Sequence, residues 1–197
     1  ARSGSDAQGG GIHVRASRGA QIRDNILEDI GATDGKEFDR AEEGRPIYVM
    51  GIRLEASKEA VVASNRIAGV VGSPNNVYCA GQGWPGMPAI GLLVDGASTA
   101  VVRNNVVAGV RGGEGYTYKD SVGDGGMGTC IRVDASSIVE LAHLTCRDIR
   151  GGEPSGTAAG AVLVAPADGL ATLNQLSVAN SIVSSAVGPC RAGLASD

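Results

Sequence analysis

Short runs of alternating hydrophobic and polar residues recur along this chain at a nearly constant distance. The run Ile52-Arg53-Leu54-Glu55 alternates with the period of two that is typical of a half-buried strand. It returns 40 residues later, beginning at Leu92, and the same frame includes residues 12–15 and, one residue short, residues 131–134. A repeat of this kind predicts one short unit that stacks on copies of itself.

The unit that begins at Ile52 holds two further short hydrophobic runs, one at Ala60 and Val62 and one at Ile67 and Val70. These runs are too short for independent hairpins, and no Asn-Gly or Asp-Gly turn separates them. Parallel stacking explains both the short runs and the missing hairpin turns, because each strand then pairs with its counterpart in the next unit. The serines that recur after the first strand are interpreted as turn residues rather than nucleophiles: Ser17, Ser57 and Ser136.

This pattern resembles the right-handed parallel β-helix of the pectate-lyase-like superfamily over residues 11–188. The resemblance implies an all-β solenoid of about five coils, with three strands per coil and a stacked asparagine ladder at the turn between the second and third strands. Asn25, Asn65 and Asn105 fall at that turn, and Leu144 interrupts the ladder in the fourth coil. The alternative is that each asparagine only tolerates a left-handed turn conformation.

Long insertions account for the rest of the repeat, because a coil of about 20 to 25 residues would complete such a unit. They fall between the third strand of one coil and the first strand of the next, at residues 32–50, 72–90, 112–129 and 152–160. Every aromatic residue of the chain lies in the first three: Phe38, Tyr48, Tyr78, Trp84, Tyr116 and Tyr118. We expect the tyrosines and the tryptophan to bind a ligand on the loop face, with packing of a small satellite core as the alternative.

The outward positions of the first strands predict two columns of side chains. One column is His13, Arg53, Leu93, Arg132 and Leu163, and the other is Arg15, Glu55, Asp95, Asp134 and Ala165. Stacked strands lie about 4.8 Å apart, so Asp95 and Asp134 are expected to be neighbours of like charge, which is destabilising. A raised pKa, a Ca²⁺ ion bound by Asp95 and Asp134, or the nearby Arg53 and Arg132 would relieve the repulsion.

The same columns supply the candidate catalytic residues. Two carboxylates about 5 Å apart also form the reacting pair of a retaining glycosidase, and the resemblance implies catalytic and calcium-binding residues on this exposed strand face. The candidates are Asp95 and Asp134, with Arg53 and Arg132 as bases if the reaction is a lyase reaction. Glu55 is a candidate binding residue of the same face, and a purely structural salt-bridge ladder is the alternative.

Charge and cysteine content limit the possible ligands of the protein and its location in the cell. A net charge of −4 gives no electrostatic footprint for nucleic acid, and the apolar runs are too short to span a membrane. The four cysteines do not follow a metal-ligand spacing. Cys79 and Cys130 stand in or at the end of successive loops, so we expect them to pair if a disulfide forms, whereas Cys146 is expected in the core. These features favour an extracellular or cell-surface protein without a cofactor other than Ca²⁺.

The leading hypothesis is a non-catalytic extracellular or cell-surface module that binds polysaccharide or protein through its loop face. The alternatives are a polysaccharide lyase or glycoside hydrolase that acts on the first-strand face, and a purely structural stalk. The pattern predicts a single domain, with a linker at residues 1–10, coils over 11–188 and a tail at 189–197. The poor patterning of both ends suggests a segment of a longer protein or end-to-end self-association.

Overall fold

The computed structural model describes residues 9–31, 48–73, 86–115, 117–118, 121–134, 137–156, 158–163, 175–179, 182–187 and 191–196. From residue 158 onward, the structure describes the backbone. Within these ranges the chain forms strands and turns without helix. The described segments accordingly contain no helix that is long and apolar enough to cross a membrane.

Three parallel sheets account for nearly all the strands. The first sheet contains β1 (Gly9–Arg15), β5 (Val49–Glu55), β8 (Ala89–Asp95), β13 (Gly128–Val133), β16 (Ala158–Leu163) and β19 (Arg191–Ser196). The second contains β2 (Gln21–Arg23), β6 (Ala60–Ala63), β9 (Thr99–Arg103), β14 (Ile138–Ala142) and β17 (Gln175–Ala179). The third contains β3 (Ile26–Leu27), β4 (Ile30–Gly31), β7 (Arg66–Val71), β10 (Val106–Arg111), β15 (Thr145–Arg150) and β18 (Ile182–Val187). A short antiparallel pair, β11 (Thr117–Tyr118) and β12 (Ser121–Val122), lies in the third insertion.

The register of the sheets follows the sequence repeat. Ile52 pairs with Leu92, and Leu92 pairs with Ile131 one strand further on. Each repeat therefore adds one strand to each sheet, in parallel with the strand before it. This confirms the prediction of an all-β chain with parallel pairing between repeats. We number the repeats 1 to 5 by their first-sheet strands β1, β5, β8, β13 and β16.

The predicted column of Arg132 and Leu163 is wrong in repeat 5. Arg132 pairs with Val162 rather than with Leu163, which pairs with Val133. The register of β16 therefore differs by one residue from the predicted column. Ala165 lies outside the described residues. Residues 191–196, expected in the tail, instead form β19 against β16.

The core lies between the three sheets. Ile52 and Leu54 from the first sheet, Val62 from the second, and Ile67 and Val70 from the third are fully buried in one cluster. Each such side chain stabilises the fold by about 1.5–3 kcal/mol relative to an exposed position. The inward positions are thus committed to packing, and chemistry is left to the outward positions.

The asparagines form the expected ladder. Asn65 Nδ2 donates to Asn105 Oδ1 at 2.9 Å and to the carbonyl oxygen of Ile22 at 2.9 Å. Asn65 Oδ1 accepts from the side-chain and backbone N–H groups of Asn25 at 2.9 and 3.1 Å. The alternative, that the asparagines only tolerate a left-handed turn, is wrong, because the left-handed residue is the one before each ladder position: Asp24, Ser64, Asn104 and His143.

A second ladder of buried serines stands at the turn between the first and second strands. The Ser57 N–H donates to Ser98 Oγ at 2.9 Å, and the Ser98 N–H donates to Ser137 Oγ at 3.1 Å. The turn role expected for Ser57 is confirmed. Ser137 occupies this position in repeat 4, and Ser136 lies outside the described residues. The sequence frame missed this because the turns of repeats 3 and 4 differ in length from that of repeat 2.

The described ends of the insertions pack backbone against backbone. The Gly113 N–H donates to the carbonyl of Met87, the Gly126 N–H donates to Gly113, and the Gly152 N–H donates to Gly126, each at 2.8 Å. A Cβ on Gly152 would lie 1.8 Å from the Gly113 carbonyl oxygen, so only glycine fits there. These glycines therefore continue the stack of repeats into the loops, at the shared position that the sequence predicts.

The disulfide prediction is wrong in its pairing. Cys130 is bonded to Cys146, which excludes a bond between Cys130 and Cys79. Cys79 lies outside the described residues. Cys146 is buried, as expected, and it lies in the core together with Cys130. The bridge therefore crosses the inside of repeat 4, from the first sheet to the third.

The neighbouring repeats explain the position of this bridge. In repeat 2, a Cβ on Gly51 would lie 2.5 Å from Cγ2 of Ile67, and in repeat 3 a Cβ on Gly91 would lie 2.3 Å from Cγ1 of Val107. The first and third sheets thus approach so closely that glycine must face a branched side chain. The disulfide fills the same space in repeat 4, with the same spacing in sequence. That spacing was the signal that could have predicted the pairing.

Candidate functional site

Charged side chains follow one another along the outer face of the first sheet. They come from the outward positions near the ends of β1, β5, β8 and β13, where the inward neighbours are core residues. We call this set the charged strip: His13, Arg15, Arg53, Glu55, Asp95, Arg132 and Asp134. The structure thus brings together Arg53, Glu55, Asp95, Arg132 and Asp134, all of which the sequence named as candidates.

Arg53 binds Asp95 across two adjacent strands. Its Nη2 lies 2.8 Å from Asp95 Oδ2, and its Nε lies 3.4 Å from Asp95 Oδ1. The corresponding outward position in the strand of Asp95 is Leu93, so Asp95 has no arginine two residues before it in its own strand. The guanidinium of repeat 2 therefore neutralises the carboxylate of repeat 3.

Arg132 binds Asp134 within one repeat and stacks on an aromatic ring. Its Nε lies 3.0 and 2.9 Å from the two carboxylate oxygens of Asp134. Its guanidinium carbon lies 5.2 Å from the centre of the Tyr48 ring, within the range of a cation–π contact. Only 14% of the Arg132 side chain and 18% of the Asp134 side chain are exposed. The pair is therefore held rigidly in a mostly desolvated position.

Glu55 contacts three basic side chains of the first two repeats. Its carboxylate oxygens lie 2.9 Å from His13 Nε2, 3.3 Å from Arg15 Nε and 3.5 Å from Arg53 Nη2. This end of the strip is more open, since 44% of the His13 side chain and 73% of the Arg15 side chain are exposed. Glu55 links the exposed end of the strip to the partly buried Arg53–Asp95 pair.

An apolar cluster lies beside the strip on the same outer face. Met50, Ile90 and Leu93 are buried together, and Tyr48 packs against them. For Tyr48 this supports the satellite-core interpretation over a freely exposed ligand platform. The sequence missed the cluster, because Met50 and Ile90 were assigned to the ends of the insertions, where no strand was predicted. Thr129 lies beside Ile90 in the sheet, and its buried Oγ1 has no hydrogen-bond partner among the described residues.

Burial and the neighbouring charges shift the acidity of the strip. Burial raises the pKa of Asp134, Arg132 opposes this shift through its charge and hydrogen bond, and Asp95 adds to it. Burial likewise raises the pKa of Tyr48, against the charge of Arg132. Two of the expected forms of relief for the like-charged carboxylates are thus present, the arginine partners and a raised pKa.

The pKa of Asp134 makes a prediction for the Asp134→Asn variant. Because the folded pKa lies above the unfolded value, the folded state binds more protons in the interval between them, and the wild type loses stability as pH rises through it. Above the folded pKa this loss is complete. Asparagine cannot titrate, so the melting temperature of the variant minus that of the wild type should rise with pH across this interval. Thermal melts at a series of pH values measure the difference.

A flat or falling difference would contradict the raised pKa. The Asp148→Asn variant is a suitable control, because Asp148 forms a half-exposed pair with Arg150 on the third sheet.

The structure gives little information on the remaining candidate binding residues, which are the aromatic residues of the second and third insertions. Tyr78, Trp84 and Tyr116 lie outside the described residues, and Tyr118 is described only as part of the backbone of β11. Where side chains are described, no group of three His, Cys, Asp or Glu residues could hold a metal ion. Asp95 and Asp134 are each bound by an arginine, and the Ca²⁺ site stays a prediction.

Comparisons of this chain with protein-family models, with curated proteins and with solved structures give no match. The arguments for function therefore come from the geometry of the charged strip and of the sheets that present it.

Proposed function

We propose that this chain is a non-catalytic module of the right-handed parallel β-helix type, displayed outside the cell, which binds a glycan or protein partner through its loop face and the charged strip. The observation that carries the proposal is the pairing within the strip. Asp95 is held by Arg53 and Asp134 by Arg132, at 2.8 and 2.9 Å. Carboxylates fixed in this way suit recognition better than nucleophilic attack, since attack would break the ion pair that holds them.

Two features of the fold support the β-helix and its similarity to the pectate-lyase-like superfamily. Successive strands of each sheet are parallel and come from successive repeats, and such crossover connections are right-handed in the great majority of proteins. The ladder of Asn25, Asn65 and Asn105 stands at the turn where that superfamily carries one. The buried disulfide supports an oxidising location such as the cell surface.

A hydrolase or lyase that acts on the same face is the second candidate. The raised pKa of Asp134 favours it, because the acid of a glycosidase pair is a carboxyl whose pKa is raised by its surroundings. A lyase would further use Arg53 or Arg132 as the base, with Ca²⁺ on the carboxylates. Both arginines would first have to release their carboxylates.

One set of measurements separates these functions. The purified chain is incubated with insoluble and soluble polysaccharides of neutral and uronic type, and both retention and turnover are followed. Turnover is measured as new reducing ends and as the absorbance of unsaturated uronates, with Asp134→Asn as the comparison. We expect a polysaccharide to retain the wild-type chain without the formation of either product. The Asp134→Asn variant should form no product either.

The other outcomes are equally informative. Product formation that disappears in Asp134→Asn would replace the binding module with the enzyme. If the chain neither retains nor cleaves any polysaccharide, and binds no protein of the surface on which it is displayed, the structural stalk is the correct function and the proposal fails.

A further inference from the structure

We infer that the Arg132–Asp134 end of the charged strip binds an uncharged, hydroxyl-rich ligand, that is, a neutral glycan rather than a polyuronate or a charged protein surface. This inference rests on the proposed function, because it names the class of ligand for the same site. It follows from three properties of the strip: the donors that remain on Arg132, the acceptors beside them, and the balance of charge.

Arg132 retains hydrogen-bond donors. Its contact with Asp134 uses Nε for both carboxylate oxygens, and the part of the chain that the structure describes offers no acceptor to its two terminal nitrogens. A guanidinium presents its donors in a fixed planar fork. The Tyr48 ring, 5.2 Å from the guanidinium carbon, and the Nε contact together fix that plane. Two parallel donors are thus held ready for a pair of acceptor atoms.

Acceptors stand beside these donors. The carboxylates of Asp134 and Asp95 accept only from their arginines among the described hydrogen bonds of their side chains, and each carboxylate has about four lone-pair sites. A vicinal diol has what this arrangement requires, because each hydroxyl can accept from Arg132 and donate to a carboxylate. The Arg53–Asp95 pair continues the row of ion pairs along the stack, which suits an extended chain of sugars.

The balance of charge selects against ionised ligands. The strip contains three arginines (Arg15, Arg53 and Arg132) and three carboxylates (Glu55, Asp95 and Asp134), so it is close to neutral before any ligand binds. A ligand carboxylate at Arg132 would be a third acid beside Asp134 and Asp95, in a place where desolvation already disfavours charge. A cationic side chain would meet the positive face of Arg132. A hydroxyl pair meets neither penalty.

The inference is tested by equilibrium binding to an array of neutral and uronate-containing glycans, followed by titration calorimetry on those that bind. We expect neutral glycans to bind, with an affinity that changes less than about twofold between low and high salt, because no net charge is neutralised. Arg132→Gln should weaken binding by about tenfold or more, the value of a hydrogen bond from a charged donor.

Arg66→Gln is the matched control, since Arg66 forms an exposed ion pair with Glu28 on the third sheet, away from the strip. Its affinity should stay within about twofold of the wild type. Thermal melts of both variants show whether they fold, and Asp134→Asn gives a second reduction in affinity if Arg132→Gln does not fold.

Each other result overturns the inference in a recognisable way. Binding confined to polyuronates, with an affinity that falls steeply with salt, would leave the binding module in place and refute the neutral ligand. Binding of neutral glycans that Arg132→Gln and Asp134→Asn leave unchanged would place the ligand elsewhere. If the array shows no binding at all, the neutral glycan is wrong, and the binding module itself then depends on a protein partner.

Discussion

Reduction of the Cys130–Cys146 disulfide should lower the free energy of unfolding by about 3 kcal/mol, the value for a closed loop of this length. The two cysteines are separated by 16 residues and are both buried in the core. Reduction relaxes the constraint on the unfolded chain and leaves two thiols in a space that one bond now fills. Urea denaturation with and without a reductant measures the change, and mass spectrometry confirms the state of the thiols.

The neighbouring repeats supply the control. The double variant Cys130→Gly with Cys146→Val reproduces the glycine–valine contact of Gly91 and Val107 in repeat 3. Its stability should be unaffected by reductant and should exceed that of the reduced wild type. If reduction leaves the unfolding midpoint of the wild type unchanged, the bridge does not contribute as argued here.

Asn65→Leu should destabilise the chain by about 2–6 kcal/mol, because two backbone groups lose their partners at about 1–3 kcal/mol each. These groups are the N–H of Asn25 and the carbonyl of Ile22, at 3.1 and 2.9 Å from the Asn65 amide. Leucine fits this turn in shape, since Leu144 is buried at the corresponding turn of repeat 4. The loss therefore reports hydrogen bonding, and denaturant titration measures it.

Asn25→Leu is the matched comparison for this variant. The side chain of Asn25 makes a single ladder bond, to Asn65 Oδ1 at 2.9 Å, and stands at the first rung. We expect a loss of about 1 kcal/mol, the usual value for one hydrogen bond. Equal losses for Asn25→Leu and Asn65→Leu would sink the ladder as the source of the effect.

Much of the fold could be predicted because a single sequence repeat specifies the strands, their pairing and their register. The alternation at Ile52 and Leu54 and its return at Leu92 predicted strands, parallel pairing and register together. This worked because a one-residue slip would turn a whole buried face outward. The prediction of register was wrong at Leu163, where the chain between the third and first strands shortens and the constant spacing ends.

The candidate site was predicted in its members but not in its contacts. Alternation alone placed Arg53, Asp95, Arg132 and Asp134 on one outer face, and they do lie together. It could not show that Arg53 reaches Asp95 across strands, whereas Arg132 binds Asp134 within its own repeat. Which partner a long side chain selects depends on local burial and on neighbours from other strands.

The sequence by itself determined the stacked strands, the outward charges and the position of the insertions, since each of these follows from a period along the chain. Only the tertiary structure decided the partners: the bridge from Cys130 to Cys146, the apolar cluster under Tyr48, and the pairing that leaves the strip neutral. The physical reason is that a period fixes which face a side chain occupies. The distance between faces, which decides whether glycine, a branched residue or a disulfide fits, exists only once three sheets have closed around one core.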